Sequence, residues 1–196
     1  MKHFKPEKRV QRILAVLKAR QPTLKVVIEN IHDPHNVSAI LRTCDSVGVP
    51  KVSLIYNREK FPKISKKSSA SAFKWVEKEK FKTVEDCYRS LKKKGFKIFA
   101  STTSGETTNL YTINLTGKTA VVLGNENRGL SEEAIELADE KFYIPMFGMV
   151  QSLNVSVAAA VVLYEALRQR LTKNMYSKSR LTKKEIDELI EIWCKK

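Results

Sequence analysis

The apolar positions of this chain fall into two alternating kinds. Short β-branched runs at 24–31, 51–56, 96–102, 119–123 and 142–145 read as strands. Between them the apolar spacing changes to every three or four residues. That spacing predicts helices over 37–47, closed by Gly48, and over 83–94, where Val84, Cys87, Tyr88 and Leu91 share one face. A shorter helix is expected from Ser131 to Ala138, with Glu132 and Glu133 in its first turn. A longer one runs from Asn154, a favoured N-cap residue, to about Arg170, and its Ala158-Ala159-Ala160 run permits close backbone approach. Residues 103–118 read as a long connection. Residues 57–70, polar and basic, read as a mobile loop. Strands alternating with helices imply an α/β fold, a mostly parallel sheet with helices on both faces. Ligands bind such sheets at the carboxyl ends of the strands. The loops 32–36, 124–129 and 146–153 all follow strands, so they are candidates to converge on one site.

Both ends carry extensions of a different character, which divides the chain into an extension over 1–22, a domain over 23–167 and an extension over 168–196. Residues 1–20 hold seven basic side chains against the single acid Glu7, with Val10, Ile13, Leu14 and Leu17 at helical spacing. After a second basic stretch, Thr182 and Glu185 form a capping box for a last helix. Its apolar face of Ile186, Leu189, Ile190 and Trp193 must dock on the domain, on the N-terminal helix or on a partner subunit.

Charge adds a partner to this picture. Lys and Arg number 36 against 21 Asp and Glu, a net charge of +15 over 196 residues. Such an excess points to a polyanion, most often nucleic acid, held through phosphate contacts. Cys44, Cys87 and Cys194 are far apart and form no CxxC pair, which argues against a zinc ribbon and a disulfide framework. No metal-like histidine spacing occurs. The N-terminus is Lys-rich without an apolar core, and no apolar run is long enough to span a bilayer, so a cytoplasmic protein with no membrane partner is expected.

The three strand-following loops read Asn30-Ile31-His32-Asp33-Pro34-His35-Asn36-Val37-Ser38-Ala39-Ile40-Leu41-Arg42-Thr43, then Val122-Leu123-Gly124-Asn125-Glu126-Asn127-Arg128-Gly129-Leu130, then Ile144-Pro145-Met146 through Asn154-Val155-Ser156-Val157-Ala158. In this order they resemble the three motifs of the SpoU-type RNA 2′-O-methyltransferases of the SPOUT superfamily, and the short basic ends are most similar to the TrmH subgroup, which acts on guanosine 18 in the tRNA D-loop. The resemblance implies a C-terminal trefoil knot, S-adenosylmethionine bound in the knot loops, and a homodimer in which the motif-1 arginine reaches the other subunit's site. A ribosomal-RNA 2′-O-methyltransferase is the alternative within the enzyme class; a non-catalytic RNA-binding protein of the same fold is the alternative outside it.

Carried onto these positions, the resemblance makes Arg42, Asn36, Glu126, Ser152 and Asn154 the catalytic set. A guanidinium is a good phosphate fork and a poor base, so clamping the RNA phosphate is the expected role of Arg42, with proton removal as the alternative. Glu126, a carboxylate in an apolar and Gly-rich setting, needs partners. Asn36 and backbone N–H groups are the candidates, and Asn36 could instead serve as a helix cap. Ser101, Thr102, Leu123, Gly124, Gly129, Ile144, Met146, Ser152 and Leu153 are the expected cofactor contacts. Arg9, Arg12, Arg20, His35, Arg168 and Arg170 are the expected RNA contacts.

Overall fold

The computed structural model describes residues 7–63 and 72–196. Lys2, His3, Lys5 and residues 64–70 of the expected loop lie outside them. In chain order the elements are α1 (Glu7–Lys18), β1 (Leu24–Glu29), α2 (Pro34–Ser46), β2 (Lys51–Ile55), α3 (Ala72–Trp75), β3 (Glu77–Phe81), α4 (Val84–Lys93), β4 (Lys97–Ser101), β5 (Thr108–Asn109), a 3-10 turn (Leu110–Thr112), β6 (Thr119–Leu123), α5 (Glu132–Glu136), β7 (Glu140–Tyr143), α6 (Val155–Thr172) and α7 (Lys183–Cys194). The strands make one seven-stranded sheet in the order β3-β2-β1-β6-β4-β7-β5. Every pairing in it is parallel.

The apolar alternation along the central strands feeds two cores. Val26 and Ile28 join α2 and α6 on one face of the sheet. Val27, between them, points to the other face with Val122 and the α4 side chains Val84, Cys87, Tyr88 and Leu91. This is the two-sided cover that strand–helix alternation implies. All three cysteines are free thiols.

Three elements escape the sequence pattern. The strand β3 reads Glu-Lys-Glu-Lys-Phe and is half-exposed at the sheet edge, so it lacks the apolar run of a buried strand. The strand β5 has only two residues at the opposite edge, inside what reads as a connection. The helix α3 is a single turn.

The extensions meet one another. A third core joins Ile13 and Leu17 of α1 to Ile186 and Trp193 of α7, with Trp75 beside them. The capping box of Thr182 and Glu185 starts α7 as expected. Of the three docking options for its apolar face, the N-terminal helix is realised and so is the domain, where the Trp193 ring meets that of Trp75 with centroids 4.8 Å apart.

Two arginines expected at the RNA surface belong to the interior. Arg20 is 1% exposed. It pairs with Asp45 at 2.6 Å, donates to the carbonyls of Val49 and Trp75, and lies over the Trp193 ring. Arg170 is fully buried and donates to the carbonyls of Leu115, Gly117 and Thr23, to the Thr23 hydroxyl and to Gln21. Burial pushes its pKa down to about 10, which still leaves it charged at neutral pH. Both fasten the extensions to the domain, because a buried guanidinium with five donors needs this many acceptors. Sequence spacing could not separate them from their exposed neighbours Arg9 and Arg12.

Candidate active site

The parallel sheet brings the ends of β4, β6 and β7 side by side, and a cleft of about 570 Å³ opens over them. That volume suits a small organic ligand. Leu123, Leu130, Ile144 and Met146 give it apolar walls; Ser101, Thr102, Ser152 and Asn154 give it polar ones. Every residue expected to touch cofactor lines this cleft. Gln151, Asn127 and Ile135 line it as well, and nothing in their local sequence marked them.

At its edge a chain of side chains ties three loops together. Asn154 caps α6, its Oδ1 accepting from the Ser156 amide at 2.9 Å and from the Ser156 hydroxyl at 2.6 Å. Its Nδ2 donates to Asn36 Oδ1 at 3.1 Å, and Asn36 Nδ2 donates to Glu126 Oε1 at 2.9 Å. The same carboxylate accepts from the His32 and Asp33 amides at 3.1 and 3.2 Å. Burial pushes the Glu126 carboxyl up, but the bonds from Asn36 and from backbone amides, His32 and Asp33 among them, outweigh it and hold the group below the ordinary carboxylate range. Glu126 is therefore a fixed anion and an organiser of the site. A carboxylate so held is a weak proton acceptor.

The cap of α2 is Asp33, whose side chain accepts from the His35 amide at 2.8 Å, with Pro34 at the first helical position. The helix starts three residues earlier than its apolar spacing predicts, so Asn36 sits within the first turn, 7% exposed, and its amide is free to bridge Glu126 and Asn154.

The loop after β6 is closed by reciprocal backbone bonds between Asn125 and Gly129 at 2.9 Å. A Cβ on Gly124 would stand 2.3 Å from the Gly129 carbonyl carbon. The close approach that requires glycine here is thus to the loop's own backbone. Gly129 has φ +69°, the left-handed region. Asn30 also lies there at φ 50°, and its side-chain oxygen collects the amides of Asn57, Arg58 and Glu59. Asn125 Nδ2 donates to the Asn30 carbonyl at 2.7 Å. These two asparagines hold the first and second motif loops together. For Asn30 the one signal is the tolerance of asparagine for positive φ, which sequence does not display.

Arg42 is exposed on α2 and does not line the cleft of its own chain. His35 is exposed at the head of the same helix. Arg9 and Arg12 project from α1 into solvent. Arg168 is two-thirds exposed while its Nε and Nη2 grip the Glu165 carboxylate at 2.8 Å.

Residues 23–164 match the model of the SpoU rRNA methylase family. The chain belongs to this family. Among its relatives is the tRNA (guanosine(18)-2′-O)-methyltransferase of Thermus thermophilus, 44% identical over 190 residues, 97% of both chains. The enzyme of the same description from Aquifex aeolicus is 42% identical over 194 residues, 99% of this chain and 92% of that one. The crystal structure of the A. aeolicus TrmH/SpoU tRNA modifying enzyme superposes with a TM-score of 0.90 at 43% identity, covering 95% of each chain. In this SpoU-family chain, the three motif loops are the ones that the Asn154–Asn36–Glu126 chain connects. No helix among the described residues is long and apolar enough to cross a membrane.

Proposed function

We propose that this protein transfers a methyl group from S-adenosylmethionine to the ribose 2′-hydroxyl of guanosine 18 in tRNA. The observation that carries the reading is the hydrogen-bonded chain Asn154–Asn36–Glu126, which joins all three motif loops at the rim of one cleft. The residues fit the cofactor: the cleft has the volume of a small ligand, apolar walls and polar groups at its ends, and it opens beside the N-terminus of α6, whose positive dipole end suits a carboxylate or a ribose oxygen. S-adenosylmethionine supplies there a methyl on a sulfonium, already electrophilic. The protein's part is alignment and the handling of one proton.

Leu123, Ile144, Met146 and Leu153 hold the apolar part of the cofactor, and Ser101, Thr102 and Ser152 its polar part. Asn36, Glu126 and Asn154 fix the three loops so that the ribose hydroxyl meets the methyl group in line. Arg42 clamps an RNA phosphate beside that hydroxyl and favours loss of its proton electrostatically.

A homodimer completes the site. Arg42 lies outside its own cleft, and a second subunit would bring another Arg42 to it. Val157, Tyr164 and Leu171 recur every seven residues along α6 and are each about half exposed; Phe147 and Met149 of the adjoining loop are 100% and 99% exposed. Such a stripe of large apolar side chains beside a polar cleft suits a self-complementary contact. A trefoil knot through the loops after β6 and β7 and a cytoplasmic location complete the reading. Arg9, Arg12, His35 and Arg168 supply phosphate contacts for the tRNA.

The test is to incubate the protein with methyl-labelled S-adenosylmethionine and bulk tRNA or ribosomal RNA, then map the label. Label at guanosine 18 of tRNA is expected. Label on ribosomal RNA alone would overturn the tRNA reading, and tight RNA binding without transfer would overturn the enzyme.

A further inference from the structure

Behind the Asn125–Gly129 loop lies a second cleft, of about 510 Å³, on the α5 side of the sheet. It shares Asn125, Arg128, Gly129 and Leu130 with the first cleft, so the two are separated by one thin loop. Glu29, the last residue of β1, lines it. Glu29 is 2% exposed. Its Oε2 accepts the Ser131 amide at 3.0 Å, whereas Oε1 is buried and has no hydrogen-bond partner among the described residues. A buried carboxylate oxygen without a donor is costly, and a native protein keeps one where something else supplies the donor.

The other groups around this cleft restrict what that donor can be. Glu132 and Glu133 line it too, so it repels a phosphate despite the basic character of the chain. Arg58 and Arg128 also line it, and Arg128 is already held by Glu59 at 2.7 Å. The Arg58 guanidinium has no acceptor among the described residues. A ligand that offers N–H donors on one edge and acceptors on another, without charge, meets both requirements. Guanine does so: N1–H and the N2 amine lie on one edge, O6 and N7 on the next, and an arginine fork reads O6 and N7 well. Adenine presents a lone pair at N1 where guanine has a proton.

We propose that this second cleft is the base-reading site of the enzyme, with Glu29 Oε1 accepting from the donor edge of the target guanine and Arg58 approaching its O6 and N7. This deepens, and rests on, the reading of the protein as a guanosine 2′-O-methyltransferase. The shared loop explains how one nucleotide reaches both sites: its ribose lies toward the first cleft and its base toward the second. Base reading then needs the nucleotide to leave its stack.

Glu29→Gln tests the assignment. Its amide oxygen can still accept from Ser131, which turns the amide nitrogen, a donor, toward the position where guanine also has a donor. Single-turnover methylation would be measured on two transcripts, one with guanosine and one with adenosine at position 18. Melting temperature and S-adenosylmethionine affinity would be measured alongside. The expected result is a fall of roughly 10- to 100-fold on the guanosine transcript, a smaller fall or a gain on the adenosine transcript, and unchanged stability and cofactor affinity. Equal losses on both transcripts, or a wild-type rate on guanosine 18, would overturn the base site while leaving the methyltransferase intact. Absence of wild-type transfer to guanosine 18 would instead remove the underlying reading, and the base site with it.

Discussion

Asn36 and Glu126 stand 90 residues apart in the chain and meet through one hydrogen bond, Asn36 Nδ2 to Glu126 Oε1, at 2.9 Å. Glu126→Ala would leave the Asn36 amide and the His32 and Asp33 N–H groups without their acceptor. Each orphaned group costs about 1–3 kcal/mol where water cannot replace the lost partner. The expected outcome is a stability loss of about 2 kcal/mol in urea unfolding, with methyl transfer down by two orders of magnitude or more.

The same carboxylate sets a pH dependence. Its folded pKa lies below the ordinary value, so its contribution to stability is fully present above the unfolded carboxyl pKa of about 4.3. It is lost as the pH falls through the depressed folded value. Unfolding curves taken between neutral pH and pH 3 should therefore show a smaller acid loss for Glu126→Gln than for the wild type. Identical acid loss would mean that Glu126 is not held as an anion in solution.

Arg42 is exposed and carries no packing role, so Arg42→Ala should change stability by less than about 0.5 kcal/mol. Transfer to tRNA should disappear while S-adenosylmethionine still binds, as calorimetry would report. Co-expression of Arg42→Ala with Glu126→Gln chains checks where Arg42 acts. In the proposed homodimer, mixed pairs should regain part of the activity, because one of the two sites would combine an intact cleft with an intact arginine from the other chain. Failure to regain any would place Arg42 in its own subunit's site.

The basic residues of the extensions should divide into two groups. Arg9→Ala and Arg12→Ala should leave stability unchanged, and each should lower the salt dependence of tRNA binding by about one unit of slope. Arg20→Met and Arg170→Met should cost about 3–5 kcal/mol, since each leaves buried acceptors unpaired. Thermal melts and filter binding over a salt series distinguish the two behaviours.

Gly124→Ala would force a Cβ within 2.3 Å of the Gly129 backbone, which has no side chain to move aside. The loop must open, and with it the walls of both clefts. Loss of S-adenosylmethionine binding by tenfold or more is expected, read by calorimetry, in a protein that still shows the wild-type far-ultraviolet spectrum.

Much of this molecule is legible along the chain. The β-branched runs at 24–31 and 119–123 read as strands, and the strands Leu24–Glu29 and Thr119–Leu123 are buried throughout. Asn154, Ser131 and Thr182 announced their helices, because a cap is a local hydrogen bond between residues two or three apart. The three motif loops were recognisable by residue type and order, and the wall positions of the first cleft came with them.

What the tertiary structure decided is of another kind. Whether an arginine faces solvent or the interior depends on acceptors far off in sequence: the Nη atoms of Arg20 donate to residues 25, 29 and 55 positions away, and Arg170 donates to others up to 149 away. In sequence both look like members of a phosphate-binding set. The edge strand β3 takes its conformation from pairing with β2, against its own charge pattern. Asn36 is in its helix's first turn because Asp33 caps that helix, and only then is it free to reach Glu126. Glu29 illustrates the same limit, since one unpartnered oxygen at the end of a strand has no signature in residue order. Local chemistry, confined to a few neighbouring residues, is written in the sequence. The partners of buried polar groups are set by which loops the sheet brings together, and those exist only once the chain has folded.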